Sequence, residues 1–410
     1  MQQPSLLDVK IHHPPEVFAK FMQEKGDIFW WEKGNFWVIT SHDYAKKILT
    51  SDDFTCDRSS FFISRMPNLD LNLIQDFFGV VSKMMVMSDP PTHTARRRIC
   101  YDGFTNQTLS KLHPLIEKTV DKHISRCIHK GEIELVEDLA KIIPSTILAD
   151  FFHIPEEERN TFYEWSNNMT QFFGGASQYR DEDGIEVNHS ASSLRHYFIE
   201  LIKKRRLKPE NDFLSILLAN QEAFGLNDDE IVSQAIMMLV AGQITTTDQL
   251  CNNVYTLMTS PGAFQLLQSG AVNMEDALDE LNRLDPAVTF IFRVTKRDTH
   301  IGSQPIKAGD VIFISTHAVN RDPRVFDKPN ECVLSRKKNK QLSYGFGGHY
   351  CIGAKLAQLE MQNAFTQLLT RLPGLRLSSQ DAPKRKHHSL AFSGFERLVL
   401  KFDEAHVGTT

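Results

Sequence analysis

The chain has 410 residues, enough for one large core or for two or three ordinary domains, so length alone leaves the domain count open. Hydrophobic residues make up 41% and charged residues 24%, a globular balance that excludes intrinsic disorder. The formal net charge is only −5 and no stretch interleaves Lys and Arg with aromatics, which excludes a nucleic-acid surface.

The first residues, MQQPSLLDVKIHHPPEV, lack a basic segment followed by an apolar run. No run of about eighteen apolar residues occurs anywhere, so the expectation is a cytoplasmic protein with no membrane anchor. Ile28 to Trp31 and Phe36 to Thr40 are aromatic and β-branched runs on either side of Lys33-Gly34-Asn35, a pattern that predicts a β-hairpin. From Ser41 onward the pattern is mostly helical, with breaks at Asp89-Pro90-Pro91, Gly174-Gly175 and Gly225.

Asn227 and Glu230 have the spacing of a reciprocal capping box, which predicts a helix start. The helix that follows, IVSQAIMMLVAG, is apolar almost all round and so belongs in the interior. Further strands are expected from Ile301 to Ser315 and from Arg397 to Phe402. No internal repeat, low-complexity tract or linker interrupts the chain, which predicts a single, mainly α domain over residues 1–410 with a small β-sheet region.

The six cysteines, at 56, 100, 127, 251, 332 and 351, form no C-x-x-C pair and no disulfide-like spacing. Cys351 stands apart. The stretch from Leu342 to Ala354 places glycines 345, 347, 348 and 353 around its thiol, just before the helical pattern AKLAQLEMQNAFTQLL. Glycines allow backbone N–H groups to approach the sulfur, and a helix N-terminus favours thiolate over thiol.

This loop resembles the heme-binding signature of the cytochrome P450 family, Phe-Gly-x-Gly-x-His-x-Cys-x-Gly. Gly345, Gly347, His349, Cys351 and Gly353 match, while Tyr344 stands where the family usually has Phe. The resemblance implies the cytochrome P450 fold, with heme b buried between two helices and Cys351 as the axial ligand to its iron. The extra hydroxyl of Tyr344 is expected near the proximal sulfur, where a hydrogen bond would alter the reduction potential.

Other segments carry the same resemblance. Glu280-Leu-Asn-Arg283 matches the family's Glu-x-x-Arg pair, which implies an ion-pair network with Arg336, although Cys332 replaces the usual Phe of that last segment. The run from Asp89 to Arg97 resembles the family's Asp-Pro-Pro-x-His-x-x-x-Arg, making His93 and Arg97 expected propionate ligands together with Arg293 and His349.

In the buried helix, Ala241-Gly242-Gln243-Ile244-Thr245-Thr246 resembles the family's Ala-Gly-x-Glu/Asp-Thr-Thr, which lies against the distal heme face. A helical Gly costs about 0.5 to 1 kcal/mol relative to Ala, so Ala241 and Gly242 point to close approach of something flat. Thr245 matches the threonine that assists proton delivery during O–O cleavage, with Thr246 beside it. Ile244 occupies the acid position and can carry no proton, so Asp248, one turn further on, is the candidate substitute.

The resemblance also implies a hydrophobic substrate pocket lined by Phe77, Phe78, Met84, Met85, Phe172, Phe173, Ile244, Val288, Thr289, Phe290 and Phe392. The implied reaction is reductive activation of O2 and oxidation of a hydrophobic small molecule, a secondary-metabolite intermediate that arrives free or bound to a carrier protein. No flavin or iron–sulfur pattern is present, so electrons are expected from a separate ferredoxin or flavodoxin with its NAD(P)H reductase, drawn by Lys337, Lys338, Lys340 and Lys355. The protein is expected to be a monomer. Two alternatives stay open: a non-hydroxylating outcome (desaturation, cyclisation, coupling or peroxide-driven oxidation), motivated by Ile244, and a non-catalytic heme-thiolate ligand-binding protein.

Overall fold

A computed structural model of the chain describes residues 12–403 apart from 65, 67, 68, 174–179 and 388. Its axis is a long central helix, Asp228–Thr259, in which every residue from Ile231 to Val240 is buried. The expected capping box is present: Asn227 Oδ1 accepts from the Glu230 amide at 3.0 Å, and Glu230 Oε2 accepts from the Asn227 amide at 3.1 Å. The helix does not stop where its apolar run stops. It continues past Gly242 because helices Ile142–Phe151, Arg159–Phe173 and Asp181–Leu207 pack along its length, so tertiary contact outweighs the glycine penalty.

Glu230 has a second task. Its Oε1 accepts from Arg96 Nη2 at 2.9 Å, which ties the start of the central helix to the helix Thr92–Tyr101. Arg96 also donates to Ser88 Oγ at 2.6 Å.

The hairpin forms as expected, with Ile28–Trp31 antiparallel to Phe36–Ile39 and Asn35 in the left-handed region at the turn (φ 54°). It belongs to a five-stranded sheet whose order is Ile28–Trp31, Phe36–Ile39, Val311–Ser315, Phe290–Thr295, Phe54–Thr55. The strand Phe290–Thr295 was not expected from the sequence. It is buried almost throughout, so it lacks the alternation by which a half-buried strand is read. Among the described residues, no helix is long and apolar enough to cross a membrane.

Glu280 and Arg283, both fully buried, meet in a bidentate pair with two bonds of 2.8 Å. Arg336 Nε and the Val333 amide each donate to Glu280 at 2.9 Å, and Arg283 donates to the carbonyls of Asn320, Pro329 and Glu331. Helix Met274–Leu284 is thereby bolted to the segment that leads into the cysteine loop.

Candidate active site

The cysteine loop is shaped by backbone conformations that only glycine adopts freely. Gly345 (φ +75°) and Gly347 (φ +72°) are left-handed, and a Cβ at Gly347 would lie 2.9 Å from Thr50 Cγ2 and 3.1 Å from Leu49 O. The Cys351 amide donates to the Tyr344 carbonyl at 2.9 Å, closing the loop before helix Ala354–Arg371 begins. Among the six cysteines only Cys351 is exposed, and it is exposed into a cavity of about 380 Å³ rather than at a convex surface.

The central helix forms the opposite wall of that cavity through Ala241, Gly242, Thr245, Thr246 and Gln249. Thr245 Oγ1 donates to the Ala241 carbonyl at 2.6 Å, which leaves its oxygen able to accept a further hydrogen bond. At one end of the cavity stand Arg58, His93, Arg97, Arg293 and His349. The rings of His93 and His349 stack with centroids 3.8 Å apart. Burial, followed by the neighbouring Arg97 charge, pulls His93 down to about 4, and burial, followed by His93 and Arg293, pulls His349 down to about 3.

This end fits the carboxylates of a heme. His93 is buried with its Nε2 unpartnered, and among the described residues no carboxylate forms an ion pair with Arg97 or Arg293. Arg293 is buried and Arg97 half-buried, and the carboxylate that acts on Arg293, Asp89, is paired with Lys296, so the two guanidinium groups are suited to an external carboxylate.

The amides at the helix terminus act on Cys351 in the direction expected from the sequence. The Gly353 and Ala354 amides and Arg97 do lower its pKa, but burial is the larger effect and holds the thiol above its ordinary value. Ligation of a metal ion by cysteine is generally coupled to release of the thiol proton. The Tyr344 hydroxyl is near enough to Cys351 to feel its charge, but it accepts from Asn282 Nδ2 at 3.3 Å and forms no hydrogen bond to the sulfur.

The acid substitute fails on geometry. Asp248 is 1% exposed and pairs with Lys386 at 2.7 Å inside a second, polar cavity of about 280 Å³, which Ile244 also lines. Neither residue lines the Cys351 cavity, because four residues of helix return Asp248 to the face of Ile244, away from Thr245. Burial raises the Asp248 pKa, opposed by Lys386.

Of the expected pocket residues, Phe77, Met84, Met85, Val288, Phe290 and Phe392 line the Cys351 cavity. Phe172 and Phe78 do not; both pack against the Phe77 ring, with centroids 5.1 and 5.7 Å away. Thr289 is fully buried in the protein body and donates to the Leu390 carbonyl at 2.5 Å. The side chain of Phe173 lies outside the described residues.

Among the lining residues that sequence reasoning missed, two are polar and stand close to the expected chemistry. Arg58 follows a two-residue strand and carries no local signal, yet burial lowers its pKa to about 10 beside the cation cluster. Gln249 was legible in part, as a polar residue one turn after Thr245 in a buried helix. Its amide accepts from the Ala287 backbone at 2.8 Å and donates to the Asp285 carbonyl at 3.0 Å, tying the helix to the opposite wall.

Comparison with known proteins agrees with this geometry. The family model for cytochrome P450 matches residues 5–270 and 273–395. The chain is 29% identical to the biotin biosynthesis cytochrome P450 of Bacillus subtilis (strain 168), over 90% of this chain and 92% of that one. It is 29% identical to the polyketide biosynthesis cytochrome P450 PksS of the same organism, over 96% of each. The crystal structure of P450BioI in complex with hexadec-9Z-enoic acid ligated acyl carrier protein superimposes with a TM-score of 0.88 at 27% identity, covering 96% of this chain and 100% of that one. A fold of long helices with small sheets, a glycine-framed cysteine facing a threonine across one cavity, and relatedness along nearly the whole chain lead to one conclusion: the chain belongs to the cytochrome P450 family, whose members are heme b monooxygenases.

Proposed function

We propose that Cys351 ligates the heme iron, that His93, Arg97, Arg293 and His349 hold the propionates, and that Tyr344, Gly345 and Gly353 frame the proximal face. Arg58 joins the propionate set. Ala241 and Gly242 leave room for the flat cofactor, and Thr245 and Thr246 face its distal side. The observation that carries this reading is that Cys351 and Thr245 open on one cavity whose cationic end holds no ion-paired carboxylate against Arg97 or Arg293. Heme b, when bound there, supplies the redox-active iron at which oxygen is activated.

The rest of the wall is apolar and rich in methionine, with Met84, Met85, Met169, Met237 and Met238 alongside Phe62, Phe77 and Phe392. Methionine side chains adapt to irregular shapes, which supports a flexible hydrophobic substrate. We take this substrate to be a secondary-metabolite intermediate, presented free or on a carrier protein. The fatty-acyl carrier-protein complex of P450BioI and the polyketide assignment of PksS support that choice.

Electrons come from a ferredoxin or flavodoxin and its NAD(P)H reductase, with Lys338 and Lys340 exposed near the cysteine loop. Two other lysines of that group have local partners, since Lys337 pairs with Asp276 and Lys355 with Asn106. The protein works as a cytoplasmic monomer.

The test is the absorption spectrum of the reduced, carbon monoxide-treated protein, wild type beside Cys351→Ser. A strongly red-shifted Soret band in the wild type alone is expected. The same blue-shifted band in both proteins would remove the thiolate assignment and the catalytic reading with it.

A second reading, a non-hydroxylating outcome, is favoured by one observation: Ile244, in the family's acid position, and Asp248 both line the other cavity rather than that of Thr245. Product analysis with a reductase system and with peroxide separates the two readings, hydroxylated product from the reductase system supporting the first.

A further inference from the structure

Cys56 lies directly after the strand Phe54–Thr55 and is 4% exposed. Its backbone amide donates to Asp89 Oδ1 at 2.9 Å, so the carboxylate at the head of the segment that carries His93 and Arg97 fixes its position. Its Sγ lies 3.2 Å from His349 Nε2. The plane of the His349 ring is already set by its stack on His93, and what remains free is which nitrogen carries the proton.

The chemistry of the pair decides that. A buried thiol stays protonated, and burial raises the Cys56 pKa. Sulfur is a weak acceptor, whereas the bare nitrogen of a neutral imidazole is a good one. The favourable arrangement is S–H donating to Nε2, which places the ring hydrogen on Nδ1 and leaves that nitrogen as a donor.

We propose that Cys56 is a positioning residue for the cofactor: its thiol selects the Nδ1–H form of His349, so that this ring donates a hydrogen bond to a heme carboxylate. Partners of this kind, one bond removed from the cofactor, orient a ring and fix its tautomer. The proposal rests on the reading of His349 as a propionate ligand.

The experiment measures the rate of heme transfer from the holoprotein to excess apomyoglobin for wild type, Cys56→Ser, Cys56→Ala, His349→Ala and the Cys56→Ala/His349→Ala double variant. Loss of the thiol is expected to speed heme release on the order of tenfold. Cys56→Ser keeps a donor and is expected to stay near the wild-type rate. The double variant is expected to match His349→Ala, because Cys56 acts only through that ring. A wild-type rate in Cys56→Ala overturns the proposal, as does an equal acceleration by Cys56→Ala whether or not His349 is present. If His349→Ala itself releases heme at the wild-type rate, the reading of His349 fails and this proposal with it; a wild type that takes up no heme overturns the whole site.

Discussion

Asp248 and Lys386 hold each other at 2.7 Å in a cavity that Thr245 does not line. The pair is seated against Gly394, where a Cβ would come within 2.1 Å of Asp248 Oδ1. Its geometry is that of a structural lock between the central helix and the C-terminal hairpin Lys384–Arg385/Phe395–Arg397.

Removing one partner of a buried pair strands the other charge, at a cost of ~3–5 kcal/mol. Lys386→Met is expected to lose about that much stability in urea unfolding of the holoprotein. Lys386→Met/Asp248→Leu is expected to regain most of it. Asp248→Asn, corrected for heme content, is expected to leave the ratio of product to electrons consumed unchanged; a lower ratio would return the carboxylate to the proton path.

Arg283 makes a two-pronged bond to Glu280 and three further bonds to carbonyls, all of which use the guanidinium fork. Lys keeps the charge and loses the fork. Arg283→Lys is therefore expected to cost ~3–5 kcal/mol and to give mostly heme-free protein. The heme-to-protein ratio after purification reads this directly, and full occupancy would show that the network does not govern cofactor retention.

Glu360 lines the cavity wall behind Cys351 and is 3% exposed, and burial alone raises its pKa to about 8. A carboxyl raised in this way stabilises the fold fully below its unfolded value of 4.5, and the contribution is lost as pH rises toward about 8. The loss amounts to on the order of 3–5 kcal/mol at about 1.4 kcal/mol per unit. Glu360→Gln is expected to flatten the decline in unfolding free energy between pH 5 and 8, about the window set by those two values. An unchanged slope in the variant would assign the decline to other groups.

Gly347 is left-handed and has backbone and side-chain atoms where a Cβ would go. Gly347→Ala is expected to destabilise the loop by ~1–3 kcal/mol and to lower heme content. Gly348→Ala is the matched comparison, since a Cβ there meets only His93 Cε1 at 3.8 Å. Equal heme content in the two variants would show that the Gly347 conformation is dispensable.

Local patterns made the chemistry legible. The glycine-framed cysteine, the capping box at Asn227 and the pairing of Glu280 with Arg283 are each contained in a few consecutive residues, and each forms in the structure. Helical phase was legible too, since positions 244 and 248 share a face by their spacing alone, and the proposal of Asp248 as a substitute acid gave this too little weight. What local pattern could not supply is the convergence of distant segments. Arg58 reaches the cation cluster, and Cys56 reaches His349, only because the strand Phe54–Thr55 pairs with Phe290–Thr295. That partner strand is itself buried too evenly to announce its period.

Glu230 links these scales. One of its oxygens caps the central helix and the other holds Arg96, on the helix that bears His93 and Arg97. The carboxylate is thus a shared clamp for two walls of a single chamber. Slackening at this residue would be felt at once as a fraying helix start and as a looser grip on the cofactor's acidic edge, although Glu230 itself lies outside the cavity.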